Sequence, residues 1–239
     1  MRTSEYMRKF LSLLAMSTIG LTAPAAADKS VVVVELYTSQ GCSSCPPADE
    51  ILAEIAGRED VIALSLHVDY WDYLGWKDNL ARPEFTERQA RFNTIMKSRY
   101  RLVTPQMIFN GEHYVAGAKR NKALMYVDMM SESSETAQLA LSRSGTSLEI
   151  NLSAVGGSTS PSEIHVVRYT PNTLVKIKRG ENAGKNIDYV NTVTSWETIA
   201  EWDGAATRTL KHDVAADGKY AVIVQTLNLG PVLVARRLD

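Results

Sequence analysis

Residues 31–57, VVVVELYTSQGCSSCPPADEILAEIAG, constrain the fold more than any other stretch. A continuous apolar run, rich in β-branched residues, reads as a strand buried on both faces, the pattern of parallel sheets. Gly41 falls in the turn that follows. Pro46 and Pro47 are tolerated only in a first helical turn, so a helix begins there. Ile51, Leu52 and Ile55 mark its apolar face, and Gly57 is a C-terminal stop. The two cysteines of the 239-residue chain, Cys42 and Cys45, sit in the turn between strand and helix. Helix N-termini carry unpaired N–H groups and the positive end of the macrodipole, and both favour a thiolate. A CxxC pair closes a loop too small to staple a chain of this length, so reactivity is the better reason for it.

Residues 1–27 read as a secretory signal. Arg2, Arg8 and Lys9 form a basic start, residues 10–21 an apolar segment, and Ala25-Ala26-Ala27 an A-x-A cleavage site. No membrane span is expected after cleavage, and the location is periplasmic or secreted, where disulfides persist. The formal net charge of −1 and the lack of a Lys/Arg block give no reason to expect a nucleic-acid partner.

Residues 61–68 (VIALSLHV) predict a second strand, parallel to the first through a right-handed βαβ crossover. Residues 69–82 form an aromatic insertion carrying Tyr70, Trp71, Tyr73 and Trp76. A helix is expected from Pro83 to about Arg101, with Phe85, Phe92, Met96 and Tyr100 on one face. Thr104-Pro105 precedes a strand at 106–109, a type I′ turn at Asn110-Gly111 and a return strand at 113–116. A helix over about 119–130 closes the unit. Beyond the polar stretch 131–136 come short alternating runs at 138–143, 147–154, 163–169, 173–178, 187–194, 207–212, 219–227 and 232–238. With their turn signals they read as an all-β sandwich. The expected organisation is a signal at 1–27, an α/β unit at 28–132 and a β-sandwich-like unit at 137–239.

The order β-α-β-α-β-β-α, with CxxC after the first strand and Thr-Pro before the third, resembles the thioredoxin fold. Residues 37–42 and 104–111 look like the glutaredoxin version. The resemblance implies a central mixed sheet flanked by helices and a cis Pro105 lying against the cysteine turn. At a finer level, GCSSCPPAD, HVDYWDYLGWKD, TPQMIFNG and RGENAGKNIDYVN resemble a family of secreted bacterial proteins of unknown function (domain of unknown function 1223). That family brings no established activity with it. Ser43-Ser44 between the cysteines and the absence of a preceding Trp depart from working thioredoxins, so redox potential does not transfer.

The pair allows thiol–disulfide exchange. Cys42, nearer the turn tip, is the expected exposed low-pKa thiol, and Cys45, better buried, resolves the mixed disulfide. Ser43 and Ser44 hydroxyls are placed to stabilise a thiolate. The Thr104 backbone is placed to pair with a bound peptide in strand fashion. Tyr70, Trp71 and Trp76 leave from a sheet edge where ligands bind, and read either as a substrate wall or as a hydrophobic lid or the interface with the β-region. The expected partners are protein thiols or disulfides and glutathione. No metal or other cofactor is called for. Two rival readings stand beside this one. In the first, the chain is a non-enzymatic binding module with an inert Cys42–Cys45 disulfide. In the second, it handles copper through Cys42, Cys45 and His67. Residues 179–186 read as a connecting loop, an anion site or a docking loop.

Overall fold

The structure is a computed structural model that describes residues 30–238. The proposed signal at 1–27 lies outside them. Strand β1 (Val32–Thr38) is buried at all seven positions, as its apolar run predicts. Helix α1 (Pro46–Ala56) follows the cysteine turn and returns the chain to β2 (Val61–His67). β1 and β2 pair in parallel from Val32↔Val61 to Thr38↔His67. Helix α2 is Pro83–Ile95, and β3 (Gln106–Phe109) pairs antiparallel with both β1 and β4 (His113–Ala116). At the β3–β4 turn, Asn110 and Gly111 both have positive φ, which a type I′ hairpin requires. Helix α3 (Arg120–Ser131) completes this part.

Helix α2 stops earlier than its apolar spacing predicts. Lys97 turns to φ 48°, and Asn93 is drawn inward instead of facing solvent. Its Nδ2 donates to the Arg101 carbonyl at 3.0 Å and to Gln106 Oε1 at 3.2 Å, fastening the segment that leads to Pro105.

The second half contains β5 (Ala137–Ser144), β6 (Ser147–Ala154), β7 (Ser162–Lys176), β8 (Asn186–Trp202), β9 (Arg208–Asp213), β10 (Lys219–Thr226) and β11 (Val232–Leu238). β7 joins two runs that the sequence reading separated at Pro171. β10 pairs with β7 only as far as Tyr169, so the missing N–H of Pro171 faces no ladder on that side.

These strands do not make an independent sandwich. One eight-stranded mixed sheet has the order β11-β10-β7-β8-β2-β1-β3-β4, and only β5, β6 and β9 form a separate sheet. The fold is therefore mostly β, built on a large mixed sheet. β2 explains the continuity. All seven of its residues are buried, so its outer edge cannot face water, and β8 covers it in parallel at Ser65↔Thr192.

Three apolar clusters fill the layers. Val32, Val34 and Leu36 of β1 meet Leu52 and Ile55 of α1 and Val127 of α3 on one face. On the other, Val33, Leu64, Phe85 and Phe92 run without a break into Val167, Val193 and Ile223. The three-stranded sheet packs Leu139, Ile150 and Leu152 against Ile164, Val222 and Val234. The only charge within β1, Glu35, is matched by Arg88 of α2, whose Nε and Nη2 donate to it at 2.8 and 2.9 Å. The same guanidinium lies 3.8 Å over the Trp196 ring of β8, which ties the two halves together.

Candidate functional site around the Cys42–Cys45 disulfide

Cys42 and Cys45 form a disulfide at the head of α1. Cys45 is the N-cap residue, and the turn is closed by Cys42 N–H donating to Ser39 O and Cys45 N–H to Cys42 O. The helix start is less generous to a thiolate than the sequence suggests. Pro46 and Pro47 have no N–H, and the N–H groups of Ala48 and Asp49 both donate to the Cys45 carbonyl. What remains for an anionic sulfur is the macrodipole and the Ser44 hydroxyl, whose Oγ lies 3.4 Å from Cys42 Sγ. The same hydroxyl lies 3.5 Å from the Thr104 carbonyl, so its single hydrogen is given to that oxygen in the disulfide state and must turn from it to reach a Cys42 thiolate; the Thr104–Pro105 peptide bond is cis. Ser43 is exposed.

Cys45 is fully buried as expected, but Cys42 is only 3% exposed, which corrects the expectation of an open thiol. The β7–β8 connection, 140 residues away in sequence, docks on this turn. Asn182, itself buried, donates through Nδ2 to the Gln40 carbonyl at 3.0 Å and the Cys42 carbonyl at 2.9 Å. Glu181 Oε2 accepts from Ser43 N–H at 3.3 Å, and Lys185 Nζ holds Asn182 Oδ1 at 2.8 Å. Gly180, at φ +75°, permits the close approach, since a Cβ there would sit 3.1 Å from Trp76 Cβ. Residues 179–186 are the link between β7 and β8, and that link also docks on the cysteine turn.

The aromatic insertion braces the same turn. Trp76 Nε1 donates to Gln40 Oε1 at 2.7 Å, and Trp71 Nε1 to Thr104 Oγ1 at 2.7 Å. Trp71 also lies against Gly41, where a Cβ would meet its Cβ at 3.1 Å. Tyr70 is tied by its hydroxyl to Gln89 Oε1, and burial pushes its pKa up. Tyr73 presents its ring to solvent at 77% exposure, stacked beside Trp71.

Sequence reasoning did not single out Asp78 or Asp49. Asp78 Oδ2 accepts from Gln40 N–H at 2.8 Å and sits 2.7 Å from His67 Nδ1, with both side chains fully buried. His67 thereby serves the turn through Asp78, and its ring meets Tyr189 edge-on at 4.5 Å. The copper set of Cys42, Cys45 and His67 is not assembled. Among the described residues no three potential metal-ligating side chains gather. Asp49, in the first turn of α1, is 6% exposed, and neither of its oxygens has a hydrogen-bond partner. Burial pushes its carboxyl well above the usual range, with Asp78 and Glu50 adding repulsion and the nearby Thr38 hydroxyl opposing. Thr38, Ser65, Tyr189 and Thr192 also keep unpartnered hydroxyls, all four on paired strand positions.

Residues 33–225 match a family described as a protein of unknown function (DUF1223). The chain belongs to this family. A similar structure is found in the X-ray crystal structure of a protein from Agrobacterium tumefaciens. It is 33% identical, aligns over 89% of this chain and 96% of that one, and has a TM-score of 0.75. HBP35 of Porphyromonas gingivalis shares the fold at 16% identity and a TM-score of 0.56, covering 90% of this chain and 76% of that one. No curated protein matches the sequence.

Proposed function

We propose that this DUF1223 protein carries out thiol–disulfide exchange at Cys42 and Cys45, within a thioredoxin-like unit built from β1 to α3. The observation that carries the reading is the disulfide at the head of α1, bridged by Ser44 to the Thr104 carbonyl beside the cis Thr104–Pro105 bond. The sheet order β2-β1-β3-β4, with β1 parallel to β2 and antiparallel to β3, supports the thioredoxin-like assignment.

In the forward direction a substrate thiolate attacks Cys42 Sγ. A mixed disulfide forms, and the Cys42–Cys45 bond breaks to leave Cys45 as thiolate. A second substrate thiolate then attacks its own sulfur in the mixed disulfide and expels Cys42. The substrate loses two electrons and the protein disulfide gains them, becoming the dithiol; reversal reduces a substrate disulfide. Ser44 donates to the Cys42 thiolate as it leaves. The partners are protein thiols or disulfides and glutathione. The leader at 1–27 supports an envelope or secreted location.

The test is a Cys45→Ser variant incubated with a cell-envelope extract. Mixed disulfides through Cys42 are expected, and they disappear on reduction. If no adduct forms and the wild-type disulfide fails to exchange with glutathione, the reading is overturned. The second reading, a binding module with an inert disulfide, is favoured by the near-complete burial of Cys42 and gains from that outcome.

A further inference from the structure

Beside the disulfide, between the first turns of α1 and the start of β8, lies a groove of about 630 Å³. Ser43, Pro47, Asp49, Glu50, Lys185 and Asp188 line it. Ser43 places one end against the cysteine turn. Asp49 reaches it from the buried side, with neither oxygen partnered. A desolvated carboxyl without a partner is costly in a fold, so such groups generally belong to a site.

We propose that this groove binds a cationic side chain, an arginine or lysine of a partner protein, with Asp49 releasing its proton to solvent as the cation seats and so becoming the counter-charge. The assignment of that partner as one bearing a thiol rests on the exchange reading above.

The chain's own cation is turned away. Lys185 lines the groove, yet its Nζ is held by Asn182 Oδ1 at 2.8 Å. The exposed carboxylates Glu50 and Asp188 sit on the rim, and neither makes an ion pair among the described residues. The two rim carboxylates outnumber the single lysine, whose ammonium is held towards Asn182. Pro46, Pro47 and Ile187 supply apolar surface for the aliphatic stem of a lysine or arginine. An anionic ligand meets repulsion from the rim carboxylates Glu50 and Asp188, and a neutral one without a donor leaves Asp49 unpartnered. A divalent metal is poorly served, because no three acidic, histidine or cysteine side chains converge among the described residues. Ser43, the residue after Cys42, links one end of the groove to the cysteine turn.

The probe is a pair of short cysteine-free peptides that differ only by arginine or glutamine at one position. They are titrated into the isotope-labelled mature chain and followed by amide shifts. The arginine peptide is expected to shift the amides of Glu50 and of residues 185–188, and the glutamine peptide to leave them. Asp49→Asn keeps the shape and removes the charge, and it should weaken arginine-peptide binding by roughly tenfold or more, the scale of a charge-assisted hydrogen bond. Should Asp49→Asn fail to fold, the exposed pair Glu50→Gln with Asp188→Asn should weaken binding and flatten its salt dependence. Equal binding of the two peptides, or full affinity in these variants, overturns the proposal. Cysteine-containing versions separate the two ideas. Groove binding without exchange sinks the exchange reading alone, while exchange with no arginine preference sinks the groove.

Discussion

Asn182→Ala is the sharpest test of how the β7–β8 connection controls the disulfide. The substitution removes two hydrogen bonds, to the Gln40 and Cys42 carbonyls, from a side chain that is 1% exposed. Each neutral bond is worth about 1 kcal/mol net, so the docked loop should lose about 2 kcal/mol or somewhat more, because both acceptors stay buried. Where opening precedes attack, 2 kcal/mol raises the open population about 30-fold. The disulfide of Asn182→Ala should therefore be reduced by dithiothreitol up to about 30 times faster than wild type, read by quenching with an alkylating reagent and weighing the products. The melting temperature should fall by about 4–8 °C for a chain of this size. Asn182→Asp cannot donate to either carbonyl and should react at least as fast. If the melting temperature drops but reduction proceeds at the wild-type rate, attack does not require the loop to leave, and the gating argument is refuted.

Arg88→Met leaves Glu35 buried without its cation and should cost about 3–5 kcal/mol in urea unfolding; adding Glu35→Gln should restore part of it. The His165 imidazole is held neutral, its pKa pushed down to about 3 by burial and by the nearby Arg88 charge. Its folded pKa lies below its unfolded value near 6.5, so stability is full above pH 6.5 and declines as pH falls towards 3. The loss should reach about 2 kcal/mol at pH 5 and vanish in His165→Asn, as read from urea midpoints at both pH values. Asp49 has the opposite sign: its raised carboxyl pKa makes the folded state bind more protons as pH rises past the ordinary carboxylate range. Asp49→Asn should therefore gain stability relative to wild type at pH 7 and none at pH 3, measured by thermal melts. Gly111→Ala should cost about 2 kcal/mol or more, because φ is +72° and a Cβ would collide with the Gly230 carbonyl; an unchanged melt would refute the collision.

What the sequence made legible was what short-range chemistry writes. The apolar run of β1, the Pro46-Pro47 helix start and the Asn110-Gly111 turn each signal their own geometry, and each lies where it was expected. The partners of those elements were not legible. No periodicity in residues 179–186 says that Asn182 will bond Cys42, because loops carry no pattern for the surface they cover. Only the first half of β8, residues 187–194, was recognised as a strand, and its place beside β2 follows from the need to cover a doubly buried edge, which becomes visible only once the sheet is assembled. Asp49 was hidden for a related reason. An acidic residue in a first helical turn is usually a solvated partner of the macrodipole, and only the packing of β8 against α1 buries this one.

The pairing of β8 along β2 has a consequence for how the molecule can be divided. A fragment ending near residue 132 would keep every element from β1 to α3 yet lose the strand beside β2, and its seven buried residues would become a bare, apolar sheet margin. Such a margin recruits whatever strand it meets, most readily another copy of itself. Expressed alone, the first half should self-associate rather than remain monodisperse, and a co-expressed second half should rescue it. A gene encoding this protein is thus not easily shortened to its cysteine-bearing portion, because the strands that look appended are what keep that portion apart from its neighbours.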